Sequence, residues 1–404
     1  MGKRNKNKDK DPYTGPTHSG RKDSESDDDY RSNYSESEAS SFADDSERLD
    51  NLYDKAEQLL EICQEAKSTS SRVMAIHSLV SQLSTNFMPE YIDKNKMTLL
   101  SLANKLSNKQ NDEGRALANL IATVSIQAGE EIDELIKDPM AEMRVVLMDS
   151  SKGLQFRAAC AVSLAITTRL SCTSDECIAE NIKACRFAWA NTKVVPESAR
   201  LVAMSISSWC LLLLLQDGDY HSVTSAISDQ PKLVVFLSSA ELDVRMAAGE
   251  AFAFLHEFLQ DSRPGFKFPN HAYVLETMGN MIDDSSKKKT KKERRLQRFT
   301  IREVYSYLAD EDDPPQNSVK FGHETLNLDT CAIKLFYDMC CDVMSGGIDR
   351  QLATNEIIRE VFGLGAVPVA RVKGNKAEKQ AYHEAVDKCR NQVRGKQRDK
   401  RAVL

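Results

Sequence analysis

The stretch RAACAVSLAITTRL, residues 157–170, is an apolar, strongly helix-forming run opened by an arginine. Four other stretches share its plan: RVMAIHSLVSQL at 72–83, RALANLIATVSI at 115–126, RLVAMSISSWCLLLLL at 200–215 and RMAAGEAFAFLHEFL at 245–259. Their arginines, Arg72, Arg115, Arg157, Arg200 and Arg245, stand 43, 42, 43 and 45 residues apart. Each is followed three positions on by a small residue, namely Ala75, Ala118, Cys160, Ala203 and Ala248. A period in the low forties is that of two-helix repeats of the HEAT and armadillo type. The expected fold is therefore all-α: an armadillo/HEAT-like helical repeat superhelix, then a small, mostly helical C-terminal domain and a basic C-terminal helix. The competing reading is an irregular all-α domain without stacked repeats.

Each run reads as the second helix of a pair, its small residue admitting a close neighbour. The arginine falls near a helix start, where the backbone dipole disfavours a cation. It is expected to pair with a carboxylate or with carbonyls of an adjoining turn. Asp112, Glu197 and Asp243 lie just upstream of three of the five and are candidate partners. The first helices are expected at Ser46–Lys67, at Tyr91–Leu106 (opened by Pro89), at Glu130–Met148 with a kink or split at Pro139, at Asp175–Ala190, at Val223–Leu237 and at His271–Ile282.

Composition bounds the rest. The chain has 404 residues, 41% hydrophobic, with a net charge of −6. Residues 1–45 are poor in large aliphatics, with a basic head, MGKRNKNKDK, and an acidic, serine-rich body, which reads as a disordered tail. Its serines are either phosphoacceptors or part of a solubilising segment. Residues 46–310 would hold about six repeats, 311–370 the small C-terminal domain, and 371–404 the basic helix or tail. The ten cysteines form no CxxC pair and no Cys/His cluster with zinc spacing. There is no signal-peptide core, and the longest apolar run, Leu201–Leu215, is broken by serines and reads as a buried repeat helix. An intracellular, reduced protein is expected, cytoplasmic and nuclear.

Charge is unevenly placed. Residues 287–302, KKKTKKERRLQRFTIR, carry nine basic groups and one acid, and 371–404 carry eleven against four. Between them, 303–370 holds twelve acids and four bases. A charge run alone is usually a solvated face; two basic segments flanking an acidic block suggest a polyanion site. The candidate nucleic-acid or ribosome contacts are Lys287, Lys288, Lys289, Lys291, Lys292, Arg294, Arg295 and Arg298, with Lys388, Arg390, Arg394, Lys396, Arg398, Lys400 and Arg401. The first group is expected to open a helix with an apolar stripe of Leu296, Phe299, Val304, Tyr305 and Leu308. KKKTKKERR is also readable by nuclear import machinery.

Between the basic segments, KFGHETLNL reads as extended or a short strand, Asp329–Met344 as an amphipathic helix, and Ala353–Phe362 as a second short helix. Several stretches here and nearby are distinctive: Arg298–Phe299 after the basic run, Lys320–Phe321–Gly322 with Glu324, Tyr337–Asp338, Gly346–Gly347, Asn355–Glu356, Val361–Phe362, Gly365 and the closing Arg398–Asp399–Lys400–Arg401. In this order, they resemble the interferon-related developmental regulator family, end to end. Cys331 departs from the tryptophan expected near that position.

The resemblance implies a non-enzymatic regulator. It suggests ribosome association and translational silencing through a basic C-terminal helix. The alternative it suggests is a nuclear transcriptional co-regulator that recruits corepressor and deacetylase complexes. The residues agree with a binding role. There is no P-loop, GxSxG elbow or HExxH motif, and His77 and His256 lie inside repeat helices. No enzyme activity, cofactor, metal, membrane or small-molecule substrate is expected. The expected partners are proteins in the repeat groove and RNA or ribosomes at the basic segments.

Overall fold

In the computed structural model, residues 41–216, 220–283, 290–310 and 313–368 are described. The chain divides into two compact units, Met1–Asp50 and Asn51–Leu404. Of the first, residues 41–50 are described and are helical.

The repeat reading holds. Six helix pairs follow one another: α1 (Ser41–Glu65) with α2 (Thr69–Thr85), α3 (Pro89–Ser101) with α4 (Asn111–Ala128), α5 (Asp133–Met148) with α6 (Leu154–Ser171), α7 (Asp175–Asn191) with α8 (Ala199–Leu213), α9 (Tyr220–Leu237) with α10 (Leu242–Ser262), and α11 (His271–Asp283) with α12 (Lys291–Leu308). The second helices stack as one layer, α2 on α4, then α6, α8, α10 and α12; α3, α5 and α7 pack in turn behind them, as do α9 and α11. This is an armadillo/HEAT-like array. The small residue after each arginine is buried in every case. A larger side chain there would hold neighbouring helices apart, which is why the sequence returns to alanine or cysteine at this position. The apolar run at 201–215 forms α8, wedged between α6, α7 and α10, where Trp209 packs against Trp189 with centroids 5.3 Å apart.

Three rungs of the arginine ladder satisfy backbone carbonyls at the turn between paired helices, groups that a helix end leaves without a partner. Arg72 donates to Ala66 O at 2.9 Å and reaches Glu113 of the next pair at 2.9 Å. Arg157, buried, sends Nε to Leu147 O at 3.0 Å; burial works against its charge and nearby Asp149 works for it. Arg245, also buried, donates to Ser239 O and Ala240 O at 2.7 Å and to Gln297 Oε1 of α12 at 3.0 Å. The other two rungs face outward. Arg115 lies 3.9 Å from Asp112, the one upstream acid found in an ion pair with its arginine. Arg200 pairs not with Glu197 but with Asp342 at 2.6 Å, far along the chain.

Two expected helices differ in detail. Pro139 does not split α5: a 3-10 turn over Gly129–Ile132 precedes the helix, which continues as one element through the proline. The buried neighbours Ile136, Met140 and Met143 anchor both sides of Pro139, and this packing offsets the lost backbone bond. The third helix ends at Ser101, short of Leu106, because Lys105 takes a left-handed φ of 55° and starts a separate 3-10 turn.

Arg157→Ala is expected to cost roughly 1–3 kcal/mol by leaving a buried carbonyl unpaired, and Arg115→Ala below about 0.5 kcal/mol; denaturant titration of the two variants checks this. The Arg72 hydrogen bond holds the Glu113 carboxyl below the usual carboxylate range, against burial, which pushes it up. A depressed folded-state pKa stabilises above the unfolded value and is lost as pH falls through the folded one. The stability gap between wild type and Glu113→Gln is therefore expected to be full near neutral pH and to shrink below about pH 4.5, read from denaturation midpoints across pH.

Candidate nucleic-acid interface

The sixth pair ends the array, and its second helix carries the basic run. On α12 the buried side is Gln297, Ile301, Val304 and Leu308, spaced by four, three and four residues. Gln297 ties this side down by donating to Met281 O at 2.9 Å while accepting from Arg245. Leu296 and Phe299, expected in the buried stripe, are instead 50% and 58% exposed. An apolar side chain one helical step from the core position faces a different neighbour, and here that neighbour is largely solvent. Arg295, Arg298 and Arg302 are exposed and fall at i, i+3 and i+7, one stripe of the helix. Arg298, though exposed, also donates Nε to Ile282 O at 3.0 Å. Phe299 sits among these arginines, so α12 presents a basic stripe edged by an exposed aromatic ring.

Of the other sequence-predicted contacts, Lys291, Lys292 and Arg294 lie on the helical backbone at the start of α12. Lys287, Lys288 and Lys289 fall outside the described residues, as do Lys388, Arg390, Arg394, Lys396, Arg398, Lys400 and Arg401 and the expected basic helix at 371–404.

The C-terminal block decides what else is available. It begins with a hairpin of β1 (Asn317–Phe321) and β2 (Glu324–Leu328), paired antiparallel so that Phe321 opposes Glu324. Gly322 opens the two-residue turn with φ +51°, a conformation side chains disfavour. Next come α13 (Cys331–Met344), α14 (Ile348–Thr354) and α15 (Glu356–Val361). The single short helix expected at 353–362 is thus two, divided at Asn355, whose side chain accepts from Ile357 N and Ile358 N and starts a new helix. Helix α13 lies across the second-helix layer, touching α2, α4, α6, α8 and α10 in turn.

Amide side chains hold this block in place. Gln351 Nε2 donates to Leu83 O at 2.9 Å and Ser84 O at 3.0 Å, at the carbonyl end of α2. Asn355 Nδ2 donates to Ile126 O at 2.8 Å, near the carbonyl end of α4. Gly347 lies so close to Ser84 that a Cβ would stand 2.4 Å from its carbonyl oxygen. Within the block, buried Arg359 pairs with Glu324 at 2.8 Å and donates to the carbonyls of Leu352, Leu364, Gly365 and Ala366. Phe362 packs on Phe336 with centroids 5.4 Å apart. Arg359 and Gln351 escaped the sequence reading; the signal was a lone arginine in the apolar run EIIREVF, which has to find a partner if the run is buried.

Between α10, α12 and the start of α13, a half-open cavity of about 170 Å³ remains. Leu296, Phe299 and Glu303 of α12 line it, with Glu250 and Cys331. Lys334 bridges Glu250 at 3.1 Å and Asp338 at 2.8 Å. Burial pushes the Glu303 carboxyl up, with Lys334 opposing. The space lies beside Cys331, where a larger residue was expected.

A stacked array of helix pairs overlaid by its own C-terminal block defines an armadillo/HEAT-like helical-repeat protein. The family model described as "Interferon-related developmental regulator (IFRD)" matches residues 17–309, and "Interferon-related protein conserved region" matches 355–402. The chain belongs to the interferon-related developmental regulator family. It is 29% identical over 381 residues to Interferon-related developmental regulator 2 of Mus musculus, covering 89% of this chain and 85% of that one. To Interferon-related developmental regulator 1 of Homo sapiens it is 28% identical over 394 residues, covering 91% and 86%. Among solved structures, a designed armadillo repeat protein aligns with 62% of this chain and 99% of its own, at 15% identity and a TM-score of 0.37.

Gly347→Ala is expected to loosen the block and to cost roughly 1–3 kcal/mol through overpacking against Ser84 O. Hydrogen exchange should then rise in α13–α15 and at the end of α2. Gly346→Ala, with nothing within 4 Å of the added carbon, should leave the exchange pattern as in wild type.

Proposed function

We propose that this protein is a non-enzymatic regulator of gene expression that binds RNA or ribosomes and represses translation by occupying a nucleic-acid channel. The stripe of Arg295, Arg298 and Arg302 beside exposed Phe299 is the observation that carries the reading. Guanidinium groups neutralise phosphates, and an exposed ring offers a stacking surface for an unpaired base. The basic segment at 371–404 extends the same chemistry along the chain. The reading places the protein where it meets RNA, in the cytoplasm or the nucleus.

The alternative, recruitment of corepressor or deacetylase complexes through the repeat groove, needs the second-helix layer to be open. Helix α13 already spans that layer from α2 to α10. Protein partners in this reading would instead meet the outer helices or the cavity edge near α12.

Sedimentation of the full chain with ribosomes on sucrose gradients tests the proposal. Association is expected at low salt and lost at high salt. Replacing Arg295, Arg298 and Arg302 with alanine should weaken it and lower the salt slope by about one per lost phosphate contact. Removing 371–404 should weaken it further. Co-sedimentation unchanged by both alterations would overturn the proposal.

A further inference from the structure

The corner between α6 and α7, which joins the third helix pair to the fourth, holds two half-exposed thiols. Cys172 terminates α6, and Cys177 lies in the first turn of α7. Ser174 caps α7 by accepting from Cys177 N at 3.4 Å. Cys172 Sγ, at the same corner, donates to the carbonyl of Ser174, the residue that caps the helix carrying Cys177, at 3.8 Å. Arg144, from α5, points Nη1 at Cys177 Sγ at 3.5 Å. The guanidinium is held there by Asn181 Oδ1 at 2.8 Å and by Glu180 at 2.7 Å. Fully buried Asn181 adds its own Nδ2 at 3.8 Å from the same sulfur and is fixed in turn by Thr168 Oγ1 at 2.8 Å. A helix start, a guanidinium and an amide donor thus converge on one sulfur.

These are the surroundings that favour a thiolate. The neighbouring Cys172 thiol, helped by the Arg144 hydrogen bond and charge, pulls the Cys177 thiol below its ordinary value, against burial and Glu180. The buried thiols of Cys160, Cys185, Cys210 and Cys340 are pushed up by burial, and half-buried Cys341 is raised as well. A lowered thiol is ionised to a greater extent near neutral pH than an ordinary cysteine, which is a few per cent ionised.

We propose that Cys172 and Cys177 form a peroxide-responsive thiol pair, with Cys177 as the attacking thiolate and Cys172 as the resolving thiol. The Cys177 thiolate attacks one oxygen of hydrogen peroxide; the O–O bond breaks, hydroxide leaves, and Cys177 becomes a sulfenic acid. The Cys172 sulfur then attacks Cys177 Sγ, the S–O bond breaks, and water leaves with the Cys172 proton. The peroxide is reduced by two electrons, and the thiols become one disulfide. The bond would staple the α6–α7 corner and remove the thiolate that Arg144 faces. This site is remote in chemistry from the basic stripe and independent of the RNA-binding reading.

The test uses the full-length reduced protein treated with hydrogen peroxide. One tryptic peptide, residues 170–183 (LSCTSDECIAENIK), contains both cysteines and no other. After peroxide, that peptide is expected to lack two hydrogens and to resist alkylation, while Cys341 still alkylates. In Cys172→Ser, Cys177 should be trapped by dimedone as the sulfenic acid. Before oxidation, Cys177 should react with iodoacetamide near neutral pH about tenfold faster than Cys341, and Arg144→Gln should reduce that advantage. Three results would each overturn the proposal. They are continued alkylation of both thiols after peroxide, a disulfide that links two chains, and wild-type Cys177 no faster than Cys341.

Discussion

Every helix end leaves carbonyls without a partner, and an array of paired helices repeats that debt at every turn. Here, side chains from elsewhere in the chain satisfy many of them. Arg72, Arg157 and Arg245 serve turns within the pairs. Gln127 donates to Leu83 O at 2.6 Å and to Asn86 O at 2.8 Å, from the next pair. Lys232 reaches Ala190 O. Where the donor sits a pair away, as Gln127 and Lys232 do, the bond that satisfies a helix end also registers one repeat against the next. Burial of small residues brings the helices together without directionality, and these bonds supply it.

The same constraint seats the C-terminal block. Gln351 and Asn355 bring neutral amides to the carbonyl ends of α2 and α4, and Gly347 allows the backbones to touch. The short stretches that carried the family resemblance have physical work in this seat: Gly322 turns the hairpin, Glu324 and Gly365 hold Arg359, Phe362 packs on Phe336, and Asn355 caps α15. Lys334 and Arg200 then fasten α13 to α10 and α8 through ion pairs with Glu250 and Asp342.

The array was legible in the sequence because one packing problem, close approach of successive second helices, recurs at each period and is met each time by a buried small residue three positions after an arginine. The hairpin and α13 were legible from local alternation and periodicity. What escaped was long-range. Asn355 meets Ile126 across 229 residues, and nothing local to either announces the other. The apolar stripe on α12 was misassigned for a related reason: Leu296 and Phe299 are as hydrophobic as Ile301 and Val304, and only the position of α10 selects which pair is buried. The helix is not divided at Pro139 because propensity is a local quantity and the packing of Ile136 and Met140 is not. In the candidate site, the charge of α12 was readable, but the exposure of Phe299 among the arginines was not.

The block's position changes where an interaction surface can form. An armadillo-like array with a bare second-helix layer offers a groove for extended segments; this one has laid its own helix there, in contact with five successive second helices. The layer extends one helix further, to α12, and α13 stops short of it at the cavity beside Cys331. That uncovered end has a double character: arginines facing water, and apolar side chains leading inward to Glu250 and Glu303. A polyanion with unpaired bases suits the outer part, since phosphates meet the guanidinium groups without entering an acidic recess. The block therefore does more than complete the fold: it covers the layer up to α10 and, among the described residues, leaves the arginine side of α12 exposed.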